Sequence, residues 1–290
     1  MLLHEYRTRA IHRNRTCFIF DLAQPCATGQ PTLAWRDRGA KNRPRAQLSV
    51  NVNKVATLRN SRGGDVPSLL EAVRTCVEAG ATGITVHPRA DQRHIRRADV
   101  YEVAELLRPF RGTVEYNVEG DPRADWVELV ETVAPDQCTL VPVRPGEITS
   151  EAGWPADTPK EPLEEIVERF REARVRVSVF VEPDRDAIDW AAALGADRVE
   201  LYTEPYARAF EHGGDVLTAS VAKYRMAAEH AASVGLGVNA GHDLDLANLP
   251  TFLELPHIAE VSIGHALIAR ALFRGLGPVV EEYLQITGSR

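Results

Sequence analysis

An α/β fold of the (β/α)8 TIM-barrel class is what this sequence predicts, on three observations. Short apolar runs alternate with stretches of helical length, each kind occurs eight times between residues 47 and 290, and polar residues gather where the apolar runs stop. A single barrel needs about 250 residues, which this span supplies. The strand candidates are Leu48–Asn53, Gly83–His87, Thr113–Glu119, Gln137–Val141, Arg176–Val181, Arg198–Tyr202, Gly235–Asn239 and Glu260–Ile263. Each is a short apolar run that ends at a polar or glycine-containing turn, as a strand buried between a barrel interior and a helical layer must. Between them lie amphipathic stretches at Val66–Ala79, Val100–Leu107, Trp126–Val133, Leu163–Ala173, Asp186–Leu194, Val216–Val234 and Leu246–Leu253, and Ala266–Thr287 closes the chain. The stretch from Tyr202 to Asp215 is long for a strand-to-helix connection and has room for an extra helix or lid. A doubly wound open sheet uses the same alternation, but no GxGxxG follows the first strand to mark a dinucleotide crevice.

Residues 1–46 stand apart from this pattern. They lack sustained apolar periodicity, contain Pro25, Pro31 and Pro44, and run through the loop-like Gln24–Pro31, so they read as an irregular N-terminal extension ahead of a catalytic domain over 47–290. Their Arg-rich, acid-poor composition is shared by transit peptides and by tails that touch RNA or lipid; the plainer reading is an appendage. The extension carries a charge of +6 within a chain whose net charge is −7, leaving −13 on the body. An acidic body argues against nucleic acid as the main partner, while local basic pockets still suit small phosphorylated ligands. No apolar run approaches the ~20 residues of a membrane span. Cys17-Phe-Ile-Phe20 is too short for a secretory core, and Cys17, Cys26, Cys76 and Cys138 lack CxxC spacing, so a reducing cytoplasm fits best.

The strand ends carry the chemistry. The first ends Asn51-Val-Asn53-Lys54 and leads to Arg59 and Arg62; the second ends His87-Pro-Arg89 and leads to His94; the third ends Asn117-Val-Glu119. The fourth leads to Thr149, the sixth carries Glu200, the seventh ends with Gly241-His242-Asp243 and the eighth with Gly264-His265. Taken singly, a histidine at a strand end is more often a hydrogen-bonded structural residue than a catalyst. Convergence of so many polar groups on one rim demands a ligand, partner side chains or water. Arg59, Arg62, Arg89 and Lys54 suit phosphate, glycines at 63, 64, 241 and 264 let backbone amides approach it, and the histidines and glutamates pass protons near neutral pH. A zinc or manganese site from His87, Glu119 and His242 competes, but HxxxH and HExxH spacings are absent and the surrounding cations oppose it.

The strings Asn51-Val-Asn-Lys-Val-Ala-Thr-Leu-Arg-Asn-Ser-Arg62, Gly83-Ile-Thr-Val-His-Pro-Arg89, Arg93-His-Ile95, Thr139-Leu-Val-Pro142, Val238-Asn-Ala-Gly-His242 and Ser262-Ile-Gly-His-Ala-Leu-Ile268 resemble the pyridoxine 5′-phosphate synthase family. The resemblance runs from about Leu48 to the C-terminus and implies a barrel with extra helices, commonly a homo-octamer, that acts without metal or cofactor. The implied reaction condenses 3-amino-2-oxopropyl phosphate with 1-deoxy-D-xylulose 5-phosphate. It also implies His87 and Glu119 as proton acceptors, His242 as donor and Glu200 as a stabiliser of the transition state. Asn51, Arg62, Asp243, Gly264 and His265 would hold the amino ketone phosphate, and Asn53, Lys54, Arg89, His94 and Thr149 the deoxyxylulose phosphate. Asn53-Lys54 departs from the Asp-His often found in the family, and Asp243 stands where glycine is frequent. Two other functions use the same residues: an aldolase forming a Schiff base at Lys54, and a non-catalytic sensor of phosphorylated ligands.

Overall fold

The computed structural model of the chain describes residues 46–143 and 150–288. The expected extension, up to residue 45, lies outside the described residues, as do Cys17, Cys26 and Thr149. Eight parallel strands close into a barrel in chain order: β1 (Gln47–Asn51), β2 (Gly83–Val86), β3 (Glu115–Gly120), β4 (Gln137–Leu140), β5 (Arg176–Val181), β6 (Arg198–Leu201), β7 (Gly237–Ala240) and β8 (Ile258–Ile263). Closure is made by β1 against β8, with Ser49 opposite Ser262, which excludes the doubly wound sheet. Around it run α1 (Asn53–Asn60), α2 (Leu69–Glu78), α3 (Arg97–Leu107), α4 (Ala124–Val133), α5 (Glu161–Glu172), α6 (Arg185–Leu194), α7 (Glu204–His212), α8 (Gly214–Ser233), α9 (Leu249–Phe252), α10 (His265–Arg274) and α11 (Leu276–Thr287). Among the described residues no helix is long and apolar enough to cross a membrane.

All eight expected strands form, and three differences have local reasons. The first strand stops at Asn51 because the Asn51 side-chain oxygen accepts the Asn53 N–H at 3.1 Å and turns the chain into α1, a helix the alternating Leu-Ser-Val-Asn-Val-Asn pattern concealed. Asn53 and Lys54 therefore occupy a first helical turn and not a strand end. The expected helix over 246–253 shrinks to α9, since the Asp245 carboxylate accepts the N–H groups of Ala247 and Asn248 and holds a turn there. The closing helix is two helices, broken at Gly275 with φ +87°. The long connection after Tyr202 does hold an extra helix, α7.

The two faces of the strands divide the polarity. Leu48, Val50, Ile84, Val86, Val118, Leu140, Val179, Val199, Val238 and Val261 point outward and are fully buried under the helices, each contributing ~1.5–3 kcal/mol of apolar burial. Alternate residues point inward, and here they are polar: Ser49, Thr85, Asn117, Thr139, Gln137, Ser178, Glu200, Asn239, Glu260 and Ser262 are all buried. Barrel interiors are usually filled by branched apolar side chains. In this one hydrogen bonds fill it instead, with Ser49 on Thr85 at 2.7 Å, Thr139 on Asn117 at 3.1 Å, and Arg198 donating to Glu260 at 2.9 Å and Asn239 at 3.1 Å.

Candidate active site

The C-terminal ends of the strands bring the predicted catalytic groups into one buried cluster. His87 follows β2, Glu119 is the penultimate residue of β3, and His87 Nδ1 lies 3.7 Å from Glu119 Oε2, with the Asn51 amide 3.5 Å from the same oxygen. Local sequence positions each of them. The Trp126 indole donates to the Glu119 carbonyl at 3.1 Å and crowds Gly120, where a Cβ would meet Trp126 Nε1 at 2.2 Å, so only glycine permits this approach. The Asn53 side-chain oxygen accepts the His87 N–H at 2.9 Å, which fixes the backbone of His87 from the first turn of α1. His94 presents its ring edge-on to His87, with centroids 6.0 Å apart.

Glu200, on β6, is buried on the side facing β7; a Cβ at Gly241 would sit 3.3 Å from its carboxylate and 2.6 Å from the Ser262 carbonyl. His242 follows and is half-buried, its ring 5.0 Å from Phe180 and 5.6 Å from Tyr202, while Thr203 donates to its carbonyl at 2.6 Å. Asp243 is exposed at φ +59°, a conformation aspartate tolerates better than most residues. Gly264 lies against Asn51, to which a Cβ would approach within 3.2 Å, and exposed His265 opens α10.

Burial sets the protonation of the cluster. Removal from water, then the charges of Glu200 and Glu260, hold the Glu119 carboxyl well above the ordinary range, and burial raises Glu200 to about 7. The histidines move the other way. Burial, reinforced by His94, Arg89 and His242, keeps His87 well below its usual value, and burial with the Arg89 and Lys54 cations takes His94 down to about 4. Burial also lowers His242, against the opposing pull of Asp243. Burial therefore favours the protonated form of Glu119 and the neutral form of the imidazoles beside it. His94 Nδ1 accepts the Ile95 N–H at 3.0 Å, so its proton sits on Nε2; His87 Nε2 is buried with no hydrogen-bond partner among the described residues, which marks it as a position for a ligand or water.

Most of the predicted residues converge, with specific exceptions. Asn51, Asn53, Lys54, His87, Arg89, His94, Glu119, Glu200, His242, Asp243 and Gly264 are joined by the contacts and charge effects above. Arg62 is exposed in the turn after α1, and among the described residues no contact ties it to the cluster. Arg59, read as a phosphate ligand, is instead buried in a two-point ion pair with Asp99 at 2.6 and 2.8 Å. Sequence reasoning missed Phe180, Tyr202, Thr203 and Arg123, the last another cation that depresses His87. Phe180 was legible in principle, since it keeps the inward parity of Ser178 on β5.

Comparison with known proteins supplies the family. The model of the pyridoxal phosphate biosynthesis protein PdxJ family matches residues 48–289. A pyridoxine 5′-phosphate synthase of Porphyromonas gingivalis is 50% identical over 238 residues, 82% of this chain and 97% of that protein. One from Leptospira biflexa is 49% identical over 254 residues, covering 83% and 96%. Among solved structures, thiamine phosphate pyrophosphorylase from Pyrococcus furiosus aligns with a TM-score of 0.54 at 17% identity, over 85% of this chain and 97% of that one. Phosphoribosyl anthranilate isomerase from Thermotoga maritima aligns at 0.55 and 12%, over 84% and 100%. These two likenesses are of fold alone.

Proposed function

The chain belongs to the pyridoxal phosphate biosynthesis protein PdxJ family, and from that membership we propose that its barrel mouth carries out pyridoxine 5′-phosphate synthesis, an enzymatic step of vitamin B6 formation. The reaction joins 3-amino-2-oxopropyl phosphate to 1-deoxy-D-xylulose 5-phosphate and releases phosphate and water. The observation that carries this reading is the buried pairing of Glu119 with His87 only 3.7 Å away, where burial pushes the carboxyl up and the imidazole down. A condensation that forms an imine, tautomerises it and closes a ring needs an acid and a base side by side, and no redox cofactor.

In this scheme His87 begins as the proton acceptor. Glu119 begins with a proton in place, so it acts as acceptor only in steps after that proton has been given up. His242 serves as donor once a bound phosphate dianion favours its imidazolium, and Glu200 stabilises charge that develops beside it. Asn51, Arg62, the backbone at Asp243, Gly264 and His265 hold the amino ketone phosphate, the last two with the help of free amides at the start of α10. Lys54, Arg89, His94 and Thr149 hold the deoxyxylulose phosphate, and Asn53 contributes its amide nitrogen while its oxygen steadies His87. A homo-octamer working in the cytoplasm completes the reading, and light scattering of the purified protein tests the assembly.

The test of function is an assay with both substrates that follows phosphate release and pyridoxine 5′-phosphate together. Equal yields of the two are expected. A folded sample that binds the product but releases no phosphate overturns the synthase reading in favour of a sensor. Borohydride trapping checks the aldolase reading separately, with no stable adduct expected at Lys54.

A further inference from the structure

The last two residues of α1 form a polar bracket around the loop that carries Arg89 and His94. Arg59 donates through Nη1 and Nη2 to the two oxygens of Asp99, and through Nη2 also to the His94 carbonyl at 3.2 Å. Its Nε donates to the Asn60 side-chain oxygen at 3.1 Å, and Asn60 Nδ2 donates to the same His94 carbonyl at 2.7 Å and to the Gln92 carbonyl at 3.4 Å. Arg96 closes the bracket, with its Nη2 on Asn60 at 2.9 Å and its backbone N–H on Asp99 at 2.7 Å. Arg59 and Asp99 are only 4% and 5% exposed, so the guanidinium is withdrawn from any phosphate.

Both lone-pair directions of the His94 carbonyl are thereby engaged, while the next N–H, that of Ile95, is held by the His94 ring itself. Gln92 within the bracket has φ +50°, a conformation an L-residue keeps only where its surroundings impose it. We propose that Arg59 and Asn60, backed by Asp99, are positioning residues that hold the loop between β2 and α3 so that His94 and Arg89 meet the second phosphorylated substrate. The assignment of that substrate rests on the synthase reading above; the bracket itself does not. Lysine cannot replace Arg59, because an ammonium lacks the planar fork that reaches Asp99 and His94 together.

The experiment compares the full-length protein with Arg59→Lys, which keeps the buried charge opposite Asp99, and with Asn60→Ala, which removes the donor to the His94 and Gln92 carbonyls and the acceptor of Arg59 Nε and Arg96 while leaving the Arg59–Asp99 pair in place. Loss of such bonds is expected to raise KM for 1-deoxy-D-xylulose 5-phosphate by about tenfold, leaving KM for the amino ketone phosphate and kcat within about threefold. Hydrogen exchange of the 88–96 segment, measured on the same samples without substrate, should accelerate about tenfold while the barrel strands keep wild-type protection. Unchanged exchange of that segment, or an equal rise in both KM values, overturns the proposal. Wild-type protein that fails to turn over the substrates defeats the functional reading instead, and the exchange measurement still decides the bracket.

Discussion

The lower and upper halves of the barrel interior are both polar and both buried, and burial lifts carboxyls in both, Glu260 to about 8 and Glu200 to about 7, yet the two halves partner their charged groups differently. Toward the N-terminal ends of the strands every carboxylate meets a guanidinium: Arg198 pairs with Glu260, Arg176 pairs with Glu115, and Gln137 and Asn239 bridge the groups. Toward the C-terminal ends Glu119 and Glu200 have no ion-pair partner among arginines or lysines of the described residues, and His87 Nε2 has no hydrogen-bond partner among the described residues. The lower charges are compensated and serve structure. The upper ones have no such partner and are pushed toward their neutral forms by burial, where a bound substrate can exchange protons with them.

The sharpest way to break this comparison is to truncate on each side of it. His87→Ala, Glu119→Ala and His242→Ala are each expected to lower kcat by at least ~10²-fold, the low end for loss of general acid–base catalysis, with circular dichroism and melting temperature near wild type. A correctly folded variant with wild-type turnover removes that residue from the mechanism. Arg198→Ala should do the reverse, since stripping one partner from a buried pair costs ~3–5 kcal/mol and lowers the melting point by roughly 10 °C. Replacing both partners, Arg198→Met with Glu260→Leu, should recover most of that loss if pairing is what the lower layer contributes.

A pH series sharpens the same contrast. Burial raises Glu200 from 4.5 to about 7, so the folded protein keeps a proton that the unfolded chain gives up above pH 4.5. Its contribution to stability is full below pH 4.5 and is lost as pH rises through 7. Glu200→Gln should therefore gain on wild type in unfolding free energy as pH goes from 4.5 to 8, by on the order of 3 kcal/mol in all, and an inflection near pH 7 in kcat/KM should vanish. His94, lowered from 6.5 to about 4, has the opposite sign, its contribution being full above pH 6.5 and lost as pH falls toward 4. The smallest effect is expected from deleting residues 1–45, with both KM values and kcat within about twofold; a larger change would draw the extension into the catalytic account.

How far the sequence could be read differs between these halves for a physical reason. The outward face of each strand announces itself by apolar alternation, and His87, Glu119, Glu200 and His242 announce themselves as polar groups at strand ends. The fate of Arg59 was not legible: an arginine four residues from Val55 looks the same whether it meets a phosphate or Asp99, forty positions away along the chain. Phe180, Tyr202 and Thr203 were also hidden, because aromatic and threonine residues near strand ends read as ordinary core until a histidine from another strand is placed between them.

By itself, then, the sequence determined the eightfold alternation, the closed-barrel class, the rim on which chemistry collects and, through its motifs, the family, since these depend on periodicities and strings within short windows. Only the tertiary structure decided which charges are consumed by one another, which acids keep their protons and where the first strand becomes a helix. Those outcomes depend on burial and on partners dozens of residues apart, and neither exists until the barrel closes.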